Sequence, residues 1–188
     1  MTDTLELEYK YKADGIKLSD FEAIFLPLNP KVLRVGGGDY YFVKENSPDE
    51  FQRYRDSDRP ELTKKVKTKD SNNWVRVESD LPLCKERTTF EKVAFHVGLD
   101  GYKFNFKIYK NCVIFFMEDV NAVYYTTYDE NMEENGRYIE IECNKDKVAV
   151  LEDKVRDVLK EWEAKLSKIG ITPQNRMKRS LFEIYRRS

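Results

Sequence analysis

The sequence predicts an α+β domain built on a closed, mostly antiparallel sheet of about eight strands, with a charged lumen and helices packed outside. Two observations predict it. Along much of the chain, apolar and charged residues alternate with a period of two, the spacing that sends successive side chains to opposite faces of a strand. Charged residues also make up 36% of the chain, 33 basic against 34 acidic, well above the usual quarter or so. A salt-bridged surface would absorb many of them. The alternation instead gathers them on one face of each strand. If helices cover the apolar faces, the charged faces must meet each other or water, and a closed sheet with a polar lumen satisfies both.

The elements follow in chain order. Residues 5–12 place Glu6, Glu8, Lys10 and Lys12 on one face and Leu5, Leu7, Tyr9 and Tyr11 on the other, so a strand spans about residues 4–12. Ser19-Asp-Phe-Glu22 has the spacing of a capping box, which predicts a helix near 20–27 stopped by Pro27 and Pro30. Gly36-Gly37-Gly38 reads as a turn before a strand at Asp39–Lys44; with no Lys-Ser/Thr after it, it is not a phosphate loop. Strands near 51–56, 61–69 and 74–80 form a meander with Asp70–Asn73 as a hairpin connection. In it, Arg53 and Arg55 share one face, as do Thr63, Lys65, Lys67 and Lys69, and as do Arg76, Glu78 and Asp80.

Thr88 or Thr89 caps a helix running to about Leu99. Strands near 102–110 and 112–119 then meet at a tight turn around Lys110-Asn111, with Lys107 on the polar face of the first. Residues 121–128 offer a further strand, and Asp129–Gly136 an acidic loop. The strand 137–143 alternates Tyr138, Glu140 and Glu142 with Ile139, Ile141 and Cys143. Asn144 caps a helix of about 25 residues, with Val148, Leu151, Val155, Val158, Trp162, Leu166 and Ile169 along one side. Thr172-Pro173 starts a last helix, and the helices within 145–187 pack on the barrel. The 188 residues suit one domain, 1–188, with no repeat or linker.

Composition excludes several classes. No apolar run reaches the roughly 20 residues of a membrane helix, and the first residues lack the apolar stretch of a secretory signal. The net charge of −1 argues against general nucleic-acid binding, although Lys64-Lys65-Val-Lys67 taken alone could be an exposed basic patch. Three cysteines (Cys84, Cys112, Cys143) match no metal spacing and cannot all pair, which points to a reducing, cytoplasmic setting. The single histidine, His96, disfavours histidine-based metal sites.

The ordered strand motifs resemble the CYTH domain of the triphosphate tunnel metalloenzymes, a superfamily of class IV adenylyl cyclases, thiamine triphosphatases and inorganic triphosphatases. Glu6-Leu-Glu-Tyr-Lys10 is similar to its ExExK signature. Asp39-Tyr-Tyr-Phe42, Arg53-Tyr-Arg55, Leu62-Thr-Lys-Lys65 and Arg76-Val-Glu78-Ser-Asp80 resemble its second-strand aromatic, RxR, LTxK and RxExE segments. Lys107 stands at its basic strand, Glu118-Asp119-Val120 resembles its acidic segment, and Gly136–Glu142 resembles GxFxExE. Ser180-Leu-Phe-Glu183 resembles its terminal SYxEL helix. The chain departs from the pattern at Tyr109, where the family often has an arginine, at Glu118 for Asp, and at Leu181 for Tyr.

The resemblance implies a tunnel that binds a triphosphate with Mg²⁺ or Mn²⁺. A triphosphate carries about four negative charges and cannot enter a low-dielectric cavity unpaired. The basic residues expected to face the lumen are Lys10, Lys12, Arg53, Arg55, Lys65, Lys67, Arg76 and Lys107. The acids expected there, Glu6, Glu8, Glu78, Asp80, Glu118, Glu140 and Glu142, need a cation between them and the substrate, and hard oxygen donors suit Mg²⁺ or Mn²⁺. The family assigns Glu6, Glu8, Glu140 and Glu142 to metal, with Glu78 and Glu118 as further candidate ligands, and Lys10, Arg53, Arg55, Lys65 and Arg76 to phosphate. Glu6, Glu8, Lys10 and Lys65 are the catalytic candidates. Three activities remain open: a metal-dependent triphosphate hydrolase, ranked first; a cyclase making cyclic AMP and pyrophosphate from ATP; and a non-catalytic binding module. The expected partner is a small-molecule triphosphate, with no membrane, and the chain is expected as a monomer or homodimer.

Overall fold

The computed structural model describes residues 3–67, 75–143 and 152–186. Eight strands dominate it: β1 (Asp3–Lys12), β2 (Lys31–Lys44), β3 (Ser47–Asp56), β4 (Glu61–Lys67), β5 (Val75–Pro82), β6 (Tyr102–Phe116), β7 (Val120–Tyr128) and β8 (Glu134–Cys143). Four α-helices accompany them: α1 (Leu18–Phe25), α2 (Phe90–Leu99), α3 (Glu152–Leu166) and α4 (Leu181–Tyr185). Every neighbouring pair of strands is antiparallel.

The sheet curls on itself. The strand order runs β1-β5-β4-β3-β2-β6-β7-β8 and returns to β1. The closure is partial, which corrects the expectation of a continuous closed barrel. Residues 3–7 of β1 pair with β5, and residues 8–12 pair with β8. Among the described residues, none of β1 is paired on both sides. The ladder is therefore split at β1 rather than continuous there.

The alternation read from the sequence is what builds the wall. Outward-facing Tyr9 and Tyr11 of β1, Phe115 of β6, Ala122 of β7, and Ile139 and Ile141 of β8 are buried beneath Phe21 and Phe25 of α1 and Leu159 and Trp162 of α3. Phe25 and Trp162 stack with centroids 5.6 Å apart, and the Trp162 indole N–H donates to Asp119 at 3.0 Å. On the other side, Val93 and Val97 of α2 cover Phe42, Tyr54, Leu62 and Tyr102. Much of the inward face is left for charge.

Local signals misled in several places. Gly36–Gly38 is not a turn but lies inside the 14-residue β2, and Lys110-Asn111 lies inside the 15-residue β6. The two stretches are partners: Gly36 pairs with Asn111 and Gly37 with Lys110. Fourteen register pairs along the ladder outweigh two local turn preferences. The glycine at 37 serves close approach, because a Cβ there would collide with the Asp56 carbonyl. Helix α1 starts at Leu18, and its free Lys17 N–H is accepted by Asp20 at 2.9 Å, so the cap falls ahead of Ser19. Thr172-Pro173 opens only a three-residue 3-10 turn. The 70–73 connection and the Asn144 cap lie outside the described residues.

The last helix departs most from expectation. Ser180 and Glu183 form a capping box, with the Glu183 N–H donating to the Ser180 hydroxyl at 3.2 Å and the Ser180 N–H to Glu183 at 2.7 Å. The helix does not pack outside the sheet. Its Leu181 and Phe182 insert among the inward-facing Tyr41, Phe51, Phe106, Ile108, Tyr125 and Tyr138. Phe182 stacks on Phe51 at 4.3 Å. One end of the lumen is thus filled by an aromatic plug. Among the described residues, no helix is long and apolar enough to cross a membrane.

Candidate active site

Above the plug lies a cavity with roughly 1080 Å³ of empty volume, part of it open to solvent. Its described lining brings together the cations Lys10, Arg53, Arg55, Lys65 and Lys110 and the carboxylates Glu8, Glu61, Glu78, Asp80, Glu140 and Glu142. Each comes from the polar face of its strand. The cavity thus holds five positive and six negative side chains, with Asp39 buried behind them as a seventh acid.

The charges are interlocked. The Lys10 ammonium lies 3.0 Å from Glu8 and 2.9 Å from Glu140, joining two strands through one cation. Tyr125 donates its hydroxyl to Glu140 at 2.6 Å. Burial would raise the Glu140 pKa, but Lys10, Lys110 and the Tyr125 hydrogen bond outweigh it and bring it down to about 2. Across the lumen, Lys65 pairs with Glu78 at 3.1 Å. Arg53 donates from Nη2 to Thr63 at 3.0 Å and to Glu61 at 3.3 Å. Its Nε is buried with no hydrogen-bond partner, a donor left unused beside the cavity.

Asp39 is the hub of the far wall. It accepts from Arg55 Nε at 3.0 Å and lies 2.9 Å from the Lys110 ammonium. Burial opposes its charge, but Arg55, Lys110 and Arg53 overcome that and hold the carboxyl well below the usual carboxylate range. Arg55 is correspondingly pushed up, first by the Asp39 charge.

Most of the sequence candidates meet here. Glu8, Lys10, Arg53, Arg55, Lys65, Glu78, Glu140 and Glu142 all line the one cavity. The side chains of Glu6 and Arg76 lie outside the described set, though their backbones pair with each other between β1 and β5.

Four candidates fall elsewhere. Lys107 is on the outer face of β6, with its ammonium over the rings of Tyr40 and Tyr109 at 4.5 and 3.9 Å. The reading of a turn at 110–111 hid the true inward cation, Lys110, which stands an odd number of residues further along the same strand. Lys12 is exposed beyond the end of the cavity and pairs with Asp14 at 2.7 Å. Lys67 reaches the plug helix instead, 3.2 Å from Glu183. Glu118 is exposed in the β6–β7 turn.

Sequence reasoning also missed Asp39. Its only signal was its place at the head of an aromatic strand, and its partners come from β3 and β6.

The donor chemistry fits a hard divalent ion, since Glu8, Glu140 and Glu142 offer only oxygens to one cavity. They are not gathered into a ready cage: among the described residues, no three His, Cys, Asp or Glu side chains are grouped so as to hold a metal.

No known protein-family profile matches the chain, and neither does any curated protein sequence. Solved structures do match. A conserved hypothetical protein from Pyrococcus furiosus has 22% identity and a TM-score of 0.72, covering 95% of this chain and 98% of its own. A protein from Pyrococcus horikoshii has 16% identity and a TM-score of 0.74, with the same coverage. A candidate adenylate cyclase from Vibrio parahaemolyticus has 15% identity and a TM-score of 0.64, over 96% of this chain and 97% of its own. These likenesses show a fold shared over nearly the full length of each chain.

Proposed function

We propose that the chain is a divalent-metal-dependent phosphohydrolase acting on a triphosphate-containing substrate. The observation that carries this is the lumen itself, where cations and carboxylates of nearly equal number share one partly enclosed cavity. A polyanion entering it finds Arg53, Arg55, Lys65 and Lys110 on one side, including the unpartnered Arg53 Nε. On the other side, Glu8, Glu140 and Glu142 would repel it unless positive charge stands between.

These three glutamates, with Glu6, would hold Mg²⁺ or Mn²⁺. Such an ion, when bound, would offset charge on the phosphoryl oxygens and would make a water molecule more acidic. The chain's own residues do the remainder. Arg53 and Arg55 fix the phosphate oxygens, with Arg55 held in place by Asp39. Lys10, ion-paired across strands to Glu140, and Lys65, ion-paired across strands to Glu78, set the cationic walls of the passage. The plug at Phe182 closes the far end, so a substrate enters phosphate-first from the mouth bordered by Glu61, Asp80 and Asn121.

The experiment is phosphate release from inorganic triphosphate, thiamine triphosphate, ATP and triphosphate-ended RNA, each with Mg²⁺ and with Mn²⁺. Glu8→Gln should abolish it with little change in melting temperature. Full activity of that variant at limiting Mg²⁺ contradicts the role of Glu8.

A second reading, a cyclase, is favoured by the name borne by the Vibrio structure of the same fold. The products formed from ATP with Mn²⁺ decide between them. Orthophosphate supports the hydrolase; cyclic AMP and pyrophosphate in equal amounts support the cyclase.

A further inference from the structure

Glu8 of β1 and Glu142 of β8 stand directly opposite each other, two like charges in register across one ladder, and both line the lumen. Such a pair is unfavourable by itself. Further along the same two strands, Lys10 stands opposite Glu140. Its ammonium does not rest on Glu140 alone. It lies 2.9 Å from Glu140 Oε1 and 3.0 Å from Glu8 Oε1, and so bridges the two glutamates. The side chains of Lys10 and Glu8 are only 11% and 7% exposed, so water does little of the screening. The lumen thus carries a counter-ion of its own on two of the glutamates suited to a divalent ion.

The same two oxygens cannot serve both cations at once. Mg²⁺ takes its oxygen ligands at about 2.1 Å and in strict geometry, and an ammonium hydrogen-bonded to those atoms would stand against it, charge to charge. One of the two has to leave. Lysine suits such an exchange, because its ammonium is a point charge on a flexible stem with rotatable donors. A guanidinium is a fixed fork, and the lumen uses one where a carboxylate is held from two points: Arg55 reaches Asp39 through Nε and Nη2, at 3.0 and 3.4 Å.

We propose that the Lys10 ammonium competes with the divalent ion for Glu8 and Glu140, so that metal enters the lumen by displacing it. This rests on the metal-dependent reading above. The displaced ammonium keeps its charge and needs a new anion, and a triphosphate in the passage supplies one. Metal and triphosphate therefore each strengthen the binding of the other, by the same factor.

The test is titration with Mn²⁺ alone, without any phosphate, following the free ion by electron paramagnetic resonance. Lys10→Met removes the competitor and keeps most of the bulk, and it should bind Mn²⁺ at least about tenfold more tightly than the intact chain, within the usual range of a coupling between two sites. Lys10→Arg keeps the charge and should give no such gain. Lys110→Met removes a positive charge elsewhere in the same lumen and should tighten Mn²⁺ far less. Equal gains from Lys10→Met and Lys110→Met mean that only the general field has changed, and they overturn the exchange. Should Lys10→Met not fold by itself, Mn²⁺ should fold it at concentrations that leave the melting temperature of the intact chain unmoved, and failure to do so overturns the exchange as well. Phosphate release that needs Mg²⁺, together with unchanged Mn²⁺ affinity in Lys10→Met, overturns the exchange and leaves the metal-dependent reading standing. Binding of Mn²⁺ by neither the intact chain nor any variant overturns both.

Discussion

Asp39 holds two cations with one carboxylate, and it does so where water is scarce. Removing its charge takes from Arg55 and Lys110 the one carboxylate they share. Asp39→Asn should therefore cost about 3–5 kcal/mol of folding stability, read by urea denaturation, as breaking a buried ion pair generally does. The inward cation of β6 gives a sharper contrast. Lys110→Ala should weaken binding of inorganic triphosphate by about 2–5 kcal/mol, because its charge is desolvated. Lys12→Ala should change it by about 0–1 kcal/mol, because Lys12 is exposed and already paired with Asp14. Calorimetric titration checks both, and equal losses would place Lys12 in the lumen after all. At this scale the sequence was legible where alternation ran clean. Glu8, Lys10, Arg53, Arg55, Lys65, Glu140 and Glu142 each follow from a period of two. Lys110 and Asp39 do not, because their roles come from partners on strands far away in sequence.

Among the elements, β2 and β6 show why local turn chemistry failed. Three glycines in one strand and a Lys-Asn pair in the other each look like a turn, yet they lie opposite each other in the longest ladder of the sheet. No single-strand window contains that fact. Helix α4 failed for a different reason. Its cap at Ser180 was readable as a terminal helix motif, but five residues carry too little pattern to tell an inward face from an outward one. Its anchor is Phe182, which stacks on Phe51 and lies near Tyr41 and Phe106. Phe182→Ala should lower stability by about 3–5 kcal/mol, the usual cost of emptying an aromatic site in a core. The same variant should open the closed end of the lumen, so entry of a small fluorescent polyanion would become faster. A variant as stable as the parent would show that the plug is not packed as described.

For the molecule as a whole, the charged lumen ties stability to acid. Glu140 has a folded pKa lowered to about 2, against an ordinary value of 4.5. A group depressed in this way stabilises the fold fully above its unfolded pKa, and that contribution is lost as pH falls through the folded value. The melting temperature should therefore drop by several degrees between about pH 4.5 and pH 2. Glu140→Gln should flatten that part of the profile; an unchanged slope would mean that other carboxylates carry it. The α+β class and the polar lumen were legible because composition and alternation are global signals. The split of the ladder at β1 was not, because it depends on which half of one strand meets which neighbour. That split also bears on the order of folding. The strands from β2 to β5 can pair as hairpins soon after they are made. The second half of β1 finds its partner only in β8, where Glu8 meets Glu142 across most of the chain. The second half of β1 therefore waits for β8, the last of the eight described strands, and ring closure is the slow, entropically costly step of assembly.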